Sequence, residues 1–235
     1  MKVVLLAGGF GTRLSEYTKT VPKPMIYIGD KPMLLHIMKL YAKYGFKDFY
    51  IALGYKGEII KKFFNKNFFD WNVHLIETGR NTMTGGRLKR LKKYIGNETF
   101  MMTYGDGLSS INLKKLLKFH KKNKKLVTLT VVRPPARFGV IKLKGQNVNY
   151  FKEKSKLDEG WINGGFFVME PEFLKYIKND NTYLEREPLE TMTKKRQLSA
   201  FKQNGFWQFV ETKRDIDKLN KILAAKKTLN LEAQK

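Results

Sequence analysis

Cysteine does not occur anywhere in the 235 residues. Its absence excludes disulfides, Cys-ligated zinc and thiol catalysis together. Histidine is scarce, with only His36, His74 and His120, too few ligands for a His-rich metal site. No apolar run approaches the roughly 18 residues that a membrane span requires. The opening stretch Val3–Ala7 is cut by Gly8 and Gly9, too soon for a signal-peptide core. Acidic residues are also few, 21 against 46 Lys and Arg, for a formal charge of +25. Core-forming material is plentiful, at 42% hydrophobic and 13% aromatic, so a disordered chain is excluded. These features predict a soluble, cytoplasmic, globular protein with no membrane insertion.

The charge asks for an anionic partner, and nucleic acid comes first to mind. The distribution argues otherwise. The cations are spread evenly, 21 before residue 119 and 25 after it, and only nine of them are arginine, the usual reader of bases. Pairs such as Lys61-Lys62, Lys114-Lys115 and Lys121-Lys122 fall in segments of helical spacing, as a solvated outer face would. The expectation is therefore no specific nucleic acid, but a surface that concentrates small phosphorylated substrates.

Val3 to Leu6 is a short apolar run ending in glycines, the mark of a buried strand feeding a loop. Leu34, Ile37, Met38 and Tyr41 follow the i, i+3, i+4, i+7 spacing of an amphipathic helix. Strands are expected at 49–53, 73–76, 99–103 and 126–132, with helices at 58–64, around Leu88, Leu91 and Ile95, and over 113–120. This alternation implies a mixed, mostly parallel sheet flanked by helices, an α/β fold of Rossmann-like kind. After Pro134-Pro135 the texture becomes richer in short strands (140–143, 148–151, 162–169). Helices resume around Phe173 to Ile177 and at Ile216, Leu219 and Leu223. A single domain over 1–235 is expected, with halves 1–132 and 133–235. Ligands of open α/β sheets sit beyond the carboxyl ends of the strands, so functional residues are sought there.

Directly after the first strand stand Leu6, Ala7, Gly8, Gly9, Phe10, Gly11, Thr12, Arg13 and Leu14, followed by Val21-Pro22-Lys23-Pro24. Three glycines in four positions let backbone N–H groups approach a phosphate closely. Thr12 and Arg13 add a hydroxyl and a bidentate cation. Lys23 between two prolines is an aimed point charge. Leu14 occupies the place of the third glycine of a dinucleotide fingerprint, and no P-loop pattern is present. A glycine-rich turn by itself is often only structural. The combined string resembles the signature of the sugar-phosphate nucleotidyltransferases, G-G-x-G-T-R-L followed by P-K-P.

Within that family, Thr82–Arg90 (T-M-T-G-G-R-L-K-R), Thr103–Gly107 (T-Y-G-D-G), Ile162–Val168 (I-N-G-G-F-F-V) and Gly205–Gln208 (G-F-W-Q) resemble the bacterial glucose-1-phosphate cytidylyltransferases. The resemblance runs from Met1 to about Leu219. It implies a nucleotidyltransferase fold whose first half binds nucleotide and whose second half binds sugar. It also implies a homo-oligomer that converts CTP and α-D-glucose 1-phosphate to CDP-glucose and pyrophosphate, a first step toward deoxysugars of surface polysaccharides such as O antigen. UTP or dTTP as the nucleotide, a non-catalytic sugar-nucleotide-binding subunit and a basic nucleic-acid module are the competing readings.

The resemblance also carries residue roles. Asp106 matches the family's Mg²⁺ ligand, a hard oxygen beside a phosphate loop, although Asp between glycines is commonly a turn residue. Glu211 stands where the family has a second metal-binding Asp, and Asp215 is a nearby fallback. Thr82 and Arg87 fall in the base-reading segment, with Gly85-Gly86 before the arginine. Cytosine offers O2 and N3 as acceptors, so an arginine donor there would leave N–H facing N–H against uracil or thymine. The alternative is that Arg87 is one more exposed cation. Gly105 adjoins the nucleotide site. Phe151-Lys152-Glu153-Lys154 resembles the sugar segment, in which Glu153 would bind hydroxyls and Lys154 the sugar phosphate. Ser155 replaces that segment's usual proline. Asn163 and Gly164 resemble the element lining the sugar pocket, and Trp207 is core or pocket wall. Between Phe64 and Trp71 the chain is shorter than the cytidylyltransferases, which bears on subunit contacts. Arg13, Lys23 and Asp106 are the expected catalytic set. With no activated nucleophile in the sequence, a direct in-line displacement is expected.

Overall fold

The computed structural model describes residues 1–134, 140–152 and 160–232. Strand β1 (Lys2–Leu6) runs into a 3-10 turn, Thr12–Leu14, and helix α1 (Ser15–Thr18). A second 3-10 turn, Lys23–Met25, precedes the paired short strands β2 (Tyr27–Ile28) and β3 (Lys31–Pro32). Helix α2 (Met33–Lys43), β4 (Asp48–Leu53), α3 (Gly57–Lys66) and β5 (Asn72–Glu77) follow. Next come α4 (Thr84–Arg90), α5 (Lys92–Ile95), β6 (Phe100–Tyr104), β7 (Gly107–Ser109), α6 (Leu113–Asn123) and β8 (Val127–Val132). The remainder holds β9 (Val140–Lys144), β10 (Asn147–Lys152), β11 (Ile162–Met169), α7 (Glu187–Lys194), β12 (Leu198–Lys202), β13 (Trp207–Phe209) and α8 (Lys213–Glu232).

Seven strands make one sheet in the order β12-β8-β11-β6-β1-β4-β5. All run the same way except β11, which is antiparallel to both β6 and β8. The mixed, mostly parallel α/β architecture is as the alternating pattern implied. The period of two along a strand divides the core. Val3, Leu5, Phe49, Ile51 and Met101 enter one cluster with α2, α3 and α6, while Val4, Leu6, Tyr50, Ala52 and Met102 enter the other with α4 and α5. Both faces are buried, so the strands read as continuous apolar runs rather than alternating ones.

Several expectations change in detail. The helix expected through Leu88, Leu91 and Ile95 is two short helices, α4 and α5. Phe173–Ile177 lies mostly in a 3-10 helix, Pro171–Tyr176. Strands β11 and β12 of the second half complete the central sheet. Helix α7 and strands β12 and β13 were not anticipated. Outside that sheet β2 pairs with β3, β7 with β13 and β9 with β10, the last a ribbon with Ile141, Leu143, Val148 and Phe151 exposed. The lysines of α6 (Lys114, Lys115, Lys118, Lys121, Lys122) are exposed, the solvated face their spacing suggested. No described helix is long and apolar enough to cross a membrane.

Candidate active site

The chain leaves β1 at the carboxyl edge of the parallel strands and forms the loop Ala7–Arg13. Leu6 O accepts from Gly105 N (3.0 Å) and Ala7 N donates to Ala52 O (3.1 Å), so the loop is anchored to the ends of β6 and β4. Leu6, Ala7 and Gly8 are buried, whereas Gly9, Phe10, Thr12 and Arg13 are exposed. Nothing lies within 4 Å of the position a Cβ would take on Gly9. Among the described residues the amides of Gly8, Gly9, Phe10 and Gly11 donate no hydrogen bond. The loop therefore carries unbonded N–H donors, with open space beside Gly9, as an anion site requires. Phe10 packs on Tyr55, with ring centroids 5.2 Å apart, and Tyr55 OH donates to Thr18 O (2.9 Å).

Lys23 reaches the same edge from its 3-10 turn, where Met25 N donates to Pro22 O (2.8 Å). Its Nζ lies 2.6 Å from Asp106 Oδ2, both side chains being mostly buried. Asp106 sits in the turn between β6 and β7. Strand β7 pairs antiparallel with β13, Gly107 opposite Phe209, and Val210 N donates to Asp106 O (3.1 Å). That register carries the chain onward from β13 so that Glu211 arrives beside the loop, where its Oε1 accepts a hydrogen bond from Arg13 Nη1. Four residues from three distant parts of the sequence thus meet as two cation–carboxylate pairs. The G-F-W-Q resemblance points to Glu211, but the β13 pairing that brings it in is not legible along the chain.

Asp106 Oδ1 is buried and has no hydrogen-bond partner. A buried carboxylate oxygen left unpaired is costly unless a cation or donor comes to it, so the site fits a hard divalent ion, with Asp106 as ligand and Glu211 as the second carboxylate. Among the described residues no set of three or more His, Cys, Asp or Glu converges on a metal position, so phosphate oxygens and water would complete the shell. Asp215 is not an alternative ligand. Its Oδ2 accepts from Glu211 N (3.0 Å), Thr212 N (2.9 Å) and Thr212 Oγ1 (2.9 Å), capping the start of α8.

Arg87 is not an exposed cation. It is 3% exposed and lies under the loop. Its Nη1 is 2.7 Å from Gly79 O, 2.9 Å from Thr78 Oγ1 and 3.0 Å from Leu53 O, and its Nη2 is 2.8 Å from Gly8 O and 3.2 Å from Arg80 O. The guanidinium ties together the ends of β1, β4 and β5. A Cβ on Gly8 or Gly54 would come within 2.2 or 2.3 Å of Nη1, which is why both positions are glycine. Burial lowers the arginine's pKa from its ordinary value, and the charge of Arg90 acts the same way. Thr82 is buried close by.

The Gly85-Gly86 pair also has a reason invisible along the chain. Segment 180–184 packs on the first turn of α4, giving Asp180 O to Met83 N (2.8 Å) and Thr182 O to Gly85 N (3.0 Å). These carbonyls satisfy amide donors that a helix start leaves orphaned. A Cβ on Gly86 would meet Asp180 Cα and O at 2.5 Å. The glycines serve close packing.

On the sugar side, Glu153 and Lys154 lie outside the described residues. Asn163 and Gly164 open β11 next to β6. Asn163 Oδ1 accepts from Gly165 N (2.8 Å), and Gly164 O accepts from Trp207 Nε1 (2.9 Å). The half-buried Trp207 packs on Phe209 (5.2 Å), which packs on Tyr104 (6.1 Å), so the tryptophan belongs to a wall of aromatic rings. Tyr104 was not anticipated. Burial raises its phenol well above the usual range, and the neighbouring Glu185 acts in the same direction.

One hydroxyl–imidazole–carboxylate chain does exist. His120 Nδ1 is 2.8 Å from Thr128 Oγ1 and Nε2 is 2.9 Å from Glu170 Oε1. His120 is 1% exposed and Thr128 fully buried, at the opposite, amino end of β8. No substrate reaches it, and it serves as a polar core network.

The family model for nucleotidyl transferases matches residues 2–230. The chain belongs to that family. Among curated members, it is 46% identical over 238 residues to the glucose-1-phosphate cytidylyltransferase of Salmonella typhimurium, covering 92% of this chain and 93% of that protein. It is 32% identical to the mannose-1-phosphate guanyltransferase of Saccharomyces cerevisiae, over 92% of this chain and 62% of that longer protein. Among solved structures, HddC from Yersinia pseudotuberculosis complexed with GMP-PN superposes with a TM-score of 0.74 at 25% identity, covering 94% of this chain and 99% of that one. A UDP-glucose pyrophosphorylase complexed with UDP-glucose gives 0.75 at 19% identity, covering 96% and 98%. The glycine loop, Lys23 and Asp106 therefore lie in a nucleotidyl transferase fold, at the strand edge where such folds carry their ligands.

Proposed function

We propose that this chain transfers the cytidylyl group of CTP to α-D-glucose 1-phosphate, releasing pyrophosphate and forming CDP-glucose. The observation that carries the reading is the 46% identity to a glucose-1-phosphate cytidylyltransferase over 92% of the chain. The meeting of Arg13, Lys23, Asp106 and Glu211 beside a loop of free amides supports it.

The amides of Gly8, Gly9, Phe10 and Gly11, with Thr12 and Arg13, hold the β- and γ-phosphates. Lys23 stands at the α-phosphorus. A phosphate oxygen of glucose 1-phosphate, already anionic, attacks in line. The new P–O bond forms as the bond from the α-phosphorus to the bridging oxygen breaks, and that electron pair leaves with pyrophosphate. No base is needed and no covalent intermediate forms. Positioning and charge stabilisation supply the rate.

Mg²⁺, held by Asp106 and Glu211, would neutralise phosphate charge. Arg87 and the buried Thr82 act on base recognition, the arginine through the loops it holds. Asn163 and Gly164, with Glu153 and Lys154, receive the sugar phosphate. The enzyme works in the cytoplasm as a homo-oligomer, which light scattering on the purified protein would test.

The deciding experiment offers ATP, GTP, UTP, dTTP and CTP separately with glucose 1-phosphate and magnesium. Pyrophosphate release with CTP well above the others is expected. Preferential use of UTP or dTTP would overturn the nucleotide assignment.

A further inference from the structure

We propose that Glu185 is a sugar-recognition residue, whose carboxylate accepts a hydroxyl of the glucosyl ring. This rests on the sugar 1-phosphate reading above. Glu185 lies in the segment between β11 and α7 that docks on α4. Its Oε1 accepts from Tyr104 OH at 2.6 Å and its Oε2 from Thr84 Oγ1 at 2.8 Å. Asn163 is the next polar neighbour of the same phenol, and Asp106 is close enough to influence it electrostatically. The carboxylate thus stands where the base-reading segment, the end of β6 and the opening of β11 meet.

Three features point to a ligand rather than a strut. First, the docking of this segment is already secured by Asp180 O, Thr182 O and the Arg90–Asp180 pair. Second, in a chain of charge +25, Glu185 makes no ion pair with any described Lys or Arg. It is held instead by two hydroxyls, and its side chain is exposed. Third, a carboxylate is acceptor-only with about four lone-pair sites. Tyr104 and Thr84 use two, leaving the outward pair for donors, and sugar hydroxyls are donors. The polarity also orients the substrate. Its phosphate meets the α-phosphorus beside Lys23, while its neutral ring is received by the carboxylate.

The test compares wild type with Glu185→Gln and Glu185→Ala, measuring kinetics for both substrates and calorimetric affinity for CTP and CDP-glucose. The KM for glucose 1-phosphate should rise about tenfold or more, with KM and affinity for CTP within about twofold. CDP-glucose affinity should fall with the sugar KM. Deoxyglucose 1-phosphates, each lacking one ring hydroxyl, then locate the contact. For one of them the Glu185→Ala penalty should vanish, because the hydroxyl it served is gone. An unchanged sugar KM, equal losses for CTP and sugar, or the same penalty with every deoxy analogue would overturn the assignment. A wild type preferring another sugar 1-phosphate would overturn the substrate reading alone, with Glu185 then tested on that sugar. Wild type with neither turnover nor CDP-glucose binding overturns both.

Discussion

Lys23 Nζ lies 2.6 Å from Asp106 Oδ2, while the other oxygen of that carboxylate is buried without a partner. The cation proposed for the α-phosphate and the carboxylate proposed for the metal hold each other. Arg13 and Glu211 repeat the arrangement at the loop's rim. Metal alone must compete with Lys23, and nucleotide alone must compete with Asp106. Together they exchange partners without leaving a charge unpaired. Calorimetry should therefore show CTP binding at least about tenfold tighter with magnesium present. Asp106→Asn should bind metal-free CTP more tightly than wild type, since Lys23 is released, while losing turnover. A metal-free affinity unchanged or weakened in that variant would argue against the exchange.

Lys23→Ala removes the charge proposed to stand at the reacting phosphorus. We expect kcat to fall by about 10²–10³-fold, the range for losing one preorganised electrostatic group, with circular dichroism unchanged. The surrounding turn is held by backbone hydrogen bonds and two prolines rather than by the ammonium. Near-normal turnover would remove Lys23 from the chemistry.

Arg87 is held by five acceptors, four of them main-chain carbonyls at three strand ends. Removing the guanidinium strands those groups in a buried place. Arg87→Met should cost roughly 3–5 kcal/mol, read as a Tm drop of about 10 °C or more. A surface role would leave Tm within a degree or two.

What the chain discloses by itself follows from how far each cause reaches. The glycine loop, Lys23 and Asp106 are legible because their chemistry is local: glycines at one turn, prolines beside one lysine, a carboxylate at one strand end. The alternation of β1, β4 and β6 with helices is equally local. Arg87 was harder, because nothing along 82–90 tells whether its guanidinium points outward or under Gly8. Gly85-Gly86 acquires its reason from Asp180, more than ninety residues away. Strand β12 was hidden because its burial is uneven along Leu198–Lys202, as an edge strand's is. The partnership of Tyr104 and Glu185 depends on an 81-residue separation that no spacing rule reports.

The packing of 180–184 on α4 makes Gly86 a sensitive position. A methyl group there would sit 2.5 Å from the backbone of Asp180, which has no flexible end to give way. Gly86→Ala gains helix propensity, yet overpacking against main chain should outweigh it, for a net loss of about 2–3 kcal/mol. Hydrogen exchange should then show faster exchange of the Met83 and Gly85 amides, whose acceptors are in the displaced segment. A stabilised variant would mean that the segment moves freely.

The same segment contains a pH-sensitive tie. Arg90 Nε donates to Asp180 Oδ1 at 2.9 Å and Nη2 to Oδ2 at 2.5 Å, and this pairing holds the Asp180 carboxyl below its usual range. A carboxyl whose pKa is depressed on folding contributes stability that is present above its unfolded value, near 4. That contribution is lost as pH falls through the lower, folded value. The pair is exposed, so the contribution is modest and weakens with salt. Carboxyl carbon NMR should place the Asp180 titration below that of a free aspartate, and Arg90→Ala should return it to the ordinary range. In Asp180→Asn the acid limb of the stability curve should flatten below about pH 4, with the curve at higher pH keeping its shape. An Asp180 titration unmoved by Arg90→Ala would mean that the two side chains do not meet in solution.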